Sequence, residues 1–177
     1  MSAKREPGFG QRRRKLNPML ASKPEEEFLK CCGSKAWAQQ MAAAGHDSLD
    51  DLIADADRIW WSLGSQDWLE AFHSHPKIGE QQAAAATAVQ AQQWSEAEQA
   101  GIRNSAQQTL DDLAKLNHAY EERFGYIFIV CASGKSSEEM LAILRERLQN
   151  DPGEELRIAA AEQAKITELR LKKLLAG

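Results

Sequence analysis

The 177-residue sequence has no apolar run approaching the roughly 20 residues that a membrane span needs, no even set of cysteines and no excess of positive charge. The first absence excludes a helical membrane protein and implies a soluble chain with no membrane partner. The three cysteines, Cys31, Cys32 and Cys131, are odd in number, two of them adjacent and the third inside an apolar stretch. They make neither a disulfide framework nor a zinc-ligand spacing, and read as buried free thiols in a reducing compartment. A formal net charge of -4 offers no overall attraction to nucleic acid. The one dense basic cluster, Arg12-Arg13-Arg14-Lys15, falls in a tail of residues 1–17 that reads as solvated and flexible. No apolar stretch follows it before Pro24, and Leu175-Ala176-Gly177 is no peroxisomal address. The expected location is cytoplasmic.

What is present is an ordinary globular composition, 43% hydrophobic and 27% charged, in a length that fits one domain, residues 18–177. Serine starts and glycine stops recur along it. Ser22 with Glu25 predicts a first helix stopping at Gly33; Ser34 caps a second ending near Gly45; Ser48 with Asp51 starts a third running to Gly64. Ser65 opens a short fourth, which must end around His75 because Pro76 disfavours a helical residue before it. Residues 80–93, mostly Ala and Gln, predict a marginal helix or a lid. Ser95 begins a long helical stretch to Gly125, with Gly101 a candidate break, Ser136 or Ser137 caps a helix to about Asn150, and a last helix follows Pro152-Gly153. Tyr126 to Ala132 would alone read as a buried strand, yet no second strand exists to pair with it, so it is either a buried extended segment or a helix. The expected fold is all-α, a single compact domain of about seven or eight helices with no sheet.

Few residues can carry chemistry. His75 stands at a helix end in Phe72-His73-Ser74-His75-Pro76-Lys77-Ile78-Gly79. His73 and His75 fit three readings: surface residues, a metal pair, or one acid/base group with a bystander. The metal reading needs further ligands, and His46, His118, Glu80 and Glu98 show no recognisable metal spacing. Ser95 and Glu98 make a capping box with no function required, although a carboxylate held at a helix N-terminus could also accept an imidazole N–H and raise its basicity. Arg170 lies four residues after Ile166 and four before Leu174, so it shares a helical stripe with large apolar residues; either its stem snorkels, or it meets an anionic partner, Glu98 or another internal carboxylate or a bound anionic substrate. Two other function classes stay open on these residues: a metal-dependent hydrolase using His73 and His75, and a non-enzymatic helical module presenting Trp60-Trp61 and Trp68.

Taken in order, the strings His75-Pro76-Lys77-Ile78-Gly79, Ser95-x-x-Glu98-Gln99, Leu116-Asn117-x-x-Tyr120, Phe124-Gly125-Tyr126 through Ala132, and Ile166-x-x-Leu169-Arg170-Leu171 resemble the 2-oxo-4-hydroxy-4-carboxy-5-ureidoimidazoline (OHCU) decarboxylases over roughly residues 18–176. The sequence departs from that family's commonest pattern at Ser133-Gly134-Lys135, at Ser34-Lys35-Ala36-Trp37 and in a longer Ala/Gln segment. The resemblance implies an all-helical homodimer that needs no cofactor and no metal. It also implies decarboxylation of a small anionic ureidoimidazoline to (S)-allantoin in urate breakdown. Carried over position by position, it makes His75 and Glu98 the catalytic pair. Pro76, Ser95, Gln99 and Arg170 then bind substrate, together with the backbone of Ile129, Val130, Cys131 and Ala132. His75 would assist carboxylate loss and deliver a proton to one face of the intermediate, Glu98 would orient it, and Arg170 would hold a ring oxygen or the departing carboxylate.

Overall fold

The structure is a computed structural model that describes residues 24–75 and 96–176, the first ten of the second stretch by their backbone alone. Among these residues there are seven helices and no strand: α1 (Pro24–Cys32), α2 (Lys35–Ala44), α3 (Leu49–Ser62), α4 (Ser65–His73), α5 (Glu96–Phe124), α6 (Ser137–Arg147) and α7 (Pro152–Ala176). The all-α reading holds. The helix starts are set by the expected side chains: Ser34 Oγ accepts from Trp37 N at 3.3 Å and Ser48 Oγ from Asp51 N at 3.0 Å. Ser136 and Glu139 bond reciprocally at 3.2 and 2.7 Å in a capping box. At α4 the cap is Gly64, whose N–H donates to Asp67 Oδ2 at 3.2 Å. α5 runs unbroken through Gly101, against the expected break; one interior glycine costs about 1 kcal/mol, too little to interrupt 29 helical residues. Ser22, the 1–17 tail, residues 80–93, Pro76 and Ser95 lie outside the described residues.

α7 is the spine: α1, α3 and α4 pack on it, α2 packs on α1, α3 and α4, and α5 pairs with α6. Large side chains lock the layers, and two buried tryptophan N–H groups find partners as they must when dry. Trp37 Nε1 donates to Ala56 O of α3 at 3.0 Å, and Trp60 Nε1 to Ala160 O of α7 at 2.9 Å. On α7, residues 155, 159, 163, 167 and 171 recur at every fourth position and are all buried, yet three of the five, Glu155, Gln163 and Thr167, are polar. Buried polar groups require partners, and these three organise the rest of the molecule.

Residues 126–132 are a bend followed by irregular, non-helical chain, which removes the helical reading and leaves the buried extended segment. Its backbone finds partners without a sheet. Arg147 Nη1 donates to Ile129 O at 2.6 Å, Cys131 N donates to Glu162 Oε2 at 2.7 Å, and Lys135 Nζ donates to Cys131 O at 2.7 Å. Side chains from α6, α7 and the following loop thus take the place of a neighbouring strand.

Candidate active site

His75 arrives at the site because α4 stops where it does. Ser74 N and His75 N close a last tight turn onto Ala71 O and Phe72 O at 3.1 and 3.2 Å. Ser74 is pressed against the end of α1, where Gly33 has φ +83° and a Cβ would stand 2.1 Å from Ser74 Oγ. Only glycine fits both the left-handed backbone and the gap. The contact brings the C-terminal ends of α1 and α4 together over α7.

Arg170 of α7 reaches into that junction. Its Nη1 donates to Cys31 O at 3.2 Å and to Lys30 O at 3.5 Å, so one side of the guanidinium caps the free carbonyls of α1. Its other terminal nitrogen, Nη2, faces His75 Nδ1 at 3.5 Å. Among the described residues Arg170 meets carbonyls and an imidazole, and no carboxylate. Opposite Arg170, His75 Nε2 lies 2.6 Å from Gln163 Oε1, and Gln163 Nε2 donates to Thr167 Oγ1 at 3.1 Å. Burial, then the Arg170 charge, hold the His75 pKa below its ordinary 6.5, with the Gln163 bond opposing them. The imidazole is therefore neutral near pH 7. Burial likewise lifts the neighbouring thiols, Cys31 to about 11 against the pull of Arg170, and Cys32 to about 12, which leaves both protonated and weakly nucleophilic.

A cavity of about 150 Å³ opens beside His75, lined by Phe72, His73, Glu121, Tyr126 and Ile127. The extended segment thus begins at the wall of this cavity, and its Cys131 is tied to Glu162, the residue before Gln163. Burial raises the Glu162 pKa, but Lys165 and the Cys131 N–H together outweigh it and hold the carboxylate below its usual range. Ile129, Val130 and Cys131 are buried and Ala132 half-buried.

The structure thus brings together His75 and Arg170 from the expected set, 95 residues apart in sequence. The side chains of Glu98 and Gln99 lie outside what is described. His73 is not a partner to His75: it is exposed, and its Nδ1 donates to Leu69 O of its own helix at 2.6 Å. No group of three His, Cys, Asp or Glu side chains that could hold a metal occurs among the described residues. Gln163 and Thr167 escaped the sequence reading. The signal was their four-residue spacing with Leu171 and Ala159, which was masked because a polar residue in a helix ordinarily reads as its solvated face.

The family model for OHCU decarboxylase matches residues 17–172. The chain belongs to the OHCU decarboxylase family. It is 41% identical over 151 residues to the uric acid degradation bifunctional protein TTL of Arabidopsis thaliana, covering 85% of this chain and 47% of that one. It is 40% identical over 85 residues to the 2-oxo-4-hydroxy-4-carboxy-5-ureidoimidazoline decarboxylase of Amia calva, covering 45% and 49% of the two chains. The chain spans about half the length of these curated relatives or less. A crystal structure of OHCU decarboxylase in the presence of (S)-allantoin superimposes with a TM-score of 0.70 at 41% identity, covering 86% of this chain and 99% of that one. A crystal structure of (S)-allantoin synthase, at 20% identity and a TM-score of 0.61, shares the fold.

Proposed function

We propose that this member of the OHCU decarboxylase family converts 2-oxo-4-hydroxy-4-carboxy-5-ureidoimidazoline to (S)-allantoin and carbon dioxide in urate breakdown, without a cofactor. The observation that carries the reading is the junction of α1, α4 and α7, where a neutral imidazole and a guanidinium with no described carboxylate partner stand 3.5 Å apart. A substrate bearing a carboxylate and a hydroxyl on one ring carbon suits that pair. When the bond to the carboxylate breaks, its electrons stay on the ring and spread into the adjacent unsaturation of the substrate itself. The protein need supply pose, charge stabilisation and a proton. Arg170 binds the carboxylate or the ring oxygen. His75 takes up the hydroxyl proton as carbon dioxide leaves and returns a proton to one face, which fixes the product's chirality. Glu98 assists His75, while Pro76, Ser95, Gln99 and the backbone of Ile129 to Ala132 hold the ureido and ring amide atoms. These roles rest on the family motif positions.

The working form in this reading is a homodimer in the cytoplasm. All three cysteines are free, and none of the described helices is long and apolar enough to cross a membrane. Trp61 and Leu169, at 43% and 36% exposure, are the large apolar side chains left at the described surface, material a second copy would cover. Light scattering during gel filtration reads the assembly directly.

The test of the activity generates the substrate from urate with an oxidase and a hydrolase and follows allantoin chirality by circular dichroism, with and without EDTA. Rapid, EDTA-resistant formation of (S)-allantoin is expected. No acceleration over the spontaneous, racemic decay would overturn the reading, and turnover abolished by EDTA would return the metal-dependent alternative.

A further inference from the structure

We infer that Gln163 is a positioning residue of the reaction, fixing His75 as the tautomer that carries its proton on Nε2 and presents a bare Nδ1 toward Arg170 and the substrate. The inference deepens the decarboxylase reading and rests on it. It starts from a count of donors and acceptors. An amide oxygen accepts only, so Gln163 Oε1 at 2.6 Å requires a proton on His75 Nε2. A guanidinium donates only, so Arg170 Nη2 at 3.5 Å from Nδ1 requires a lone pair there. The two demands agree on one neutral tautomer.

The amide orientation is itself determined. Turning the Gln163 amide over would point its NH₂ at His75 Nε2, which would have to be bare. The proton would then sit on Nδ1, pointed at Arg170, with two donors facing each other. In the observed orientation the NH₂ donates to Thr167 Oγ1 at 3.1 Å, and Gln163 is fully buried with Thr167 beside it at 4% exposure. Neither can swing out to water. The chain of bonds therefore runs from Thr167 through Gln163 to His75, along one stripe of α7, and Arg170 lies on the same helix. The three groups that define the protonation state of the imidazole, Thr167, Gln163 and Arg170, all come from one helix.

The consequence is chemical. An imidazole free to exchange tautomers would offer substrate a lone pair only part of the time, whereas this one offers Nδ1 always. Because Gln163 is neutral, it does so without adding negative charge behind the ring, so His75 stays an unprotonated base. Arg170 from α7 faces His75, and His73, Glu121 from α5 and Tyr126 from the extended segment line the same cavity. The depressed pKa of His75, caused first by burial and then by Arg170, is in accord with that role.

Three measurements test this. Nitrogen NMR of the His75 ring in the wild-type protein distinguishes the tautomers and needs no activity; an Nδ1–H ring would overturn the inference. Gln163→Glu keeps the acceptor and the shape but sets a carboxylate against Nε2–H, so the acidic limb of the kcat/KM profile should move to higher pH. Gln163→Leu removes the acceptor and should lower kcat roughly 10–100-fold, the usual cost of losing such a supporting bond, with KM changed little and Gln163→Glu restoring part of kcat. An unmoved acidic limb in folded Gln163→Glu sinks the inference even if Gln163→Leu does not fold. A wild-type protein that shows the Nε2–H tautomer yet makes no allantoin sinks the decarboxylase reading instead.

Discussion

At the N-terminal end of α7, Glu155 is fully buried and meets Arg147 Nη2 at 2.6 Å, with Tyr120 OH donating to the same oxygen and Asn150 Nδ2 to the other at 2.8 Å. About two turns further along, Gln163 meets His75, and Arg170 beyond it meets main-chain carbonyls. Both ends bury polar side chains on the same stripe, and both draw an arginine inward. At the first end charge closes on charge, every strong donor is spent within the protein, and Arg147 spends its remaining arm on Ile129 O. That end holds the extended segment in place and has nothing left for a ligand. At the second end the carboxylate is replaced by a neutral amide, so the described partners leave Arg170 with unneutralised charge beside the lone pair of His75 Nδ1. A helix can thus carry a closed fastening and an open polar junction on one face, the difference lying in whether the inward arginine is given a carboxylate.

The sharpest way to break this comparison is to disable the open end. His75→Asn should lose about 10²–10⁴-fold in kcat/KM, the range of general acid/base catalysis, while its urea denaturation midpoint stays near that of the wild type at pH 8. A folded, active His75→Asn protein would mean that the open end is not the reactive one. The closed end should respond in the opposite sense. Arg147→Met leaves Glu155 as a buried charge without its partner and should cost about 3–5 kcal/mol of stability in urea titration. Replacing both, Arg147→Met with Glu155→Leu, should recover much of that loss; if it does not, the pair contributes more than mutual neutralisation. Gly33→Ala comes next, with strain at positive φ of about 1–3 kcal/mol and a Cβ that Ser74 must move away from. Its expected signature is a loss of both stability and turnover, since Ser74 carries His75; unchanged kinetics would separate the α1–α4 junction from the site.

These two ends were unequally legible in the sequence. Helix starts could be read because Ser34, Ser48 and Ser136 announce themselves through local chemistry, and the bounds of α2, α3 and α6 follow. His75 and Arg170 were legible because an irregular loop and an inward arginine are unusual. Gln163 and Thr167 were not, and neither was the role of Glu155: buried polar residues on a helix read locally as its solvated face, since their partners come from elsewhere in the chain, Gln163 to His75 across 88 residues and Glu155 to Tyr120 across 35. The extended segment was half legible. Its β-branched run left an extended segment or a helix open, and that Arg147, Glu162 and Lys135 would replace a strand partner follows only from the tertiary fold.

The smallest expected effect concerns pH, and it sharpens the comparison because it reads the open end through His75. The folded state holds the His75 pKa below its ordinary 6.5. As pH falls through 6.5, the unfolded chain takes up the proton first, so it binds more protons than the native state and stability declines. Below the folded pKa both states carry the proton, and this contribution to the slope ends. The native protein should therefore lose stability on the acid side of 6.5 with a slope bounded by one proton, and His75→Asn should flatten that part of the curve. Asp55 and Glu162, whose carboxyls are held below their ordinary range, add a loss at lower pH, through the carboxylate range, and that should survive the substitution. Arg147→Met leaves the imidazole and its partners in place, so it should lower the stability curve while keeping the His75 contribution near 6.5. A curve whose slope near 6.5 is the same with and without the imidazole would show that the proton is taken up elsewhere, and the open end would lose its claim to be the titrating one.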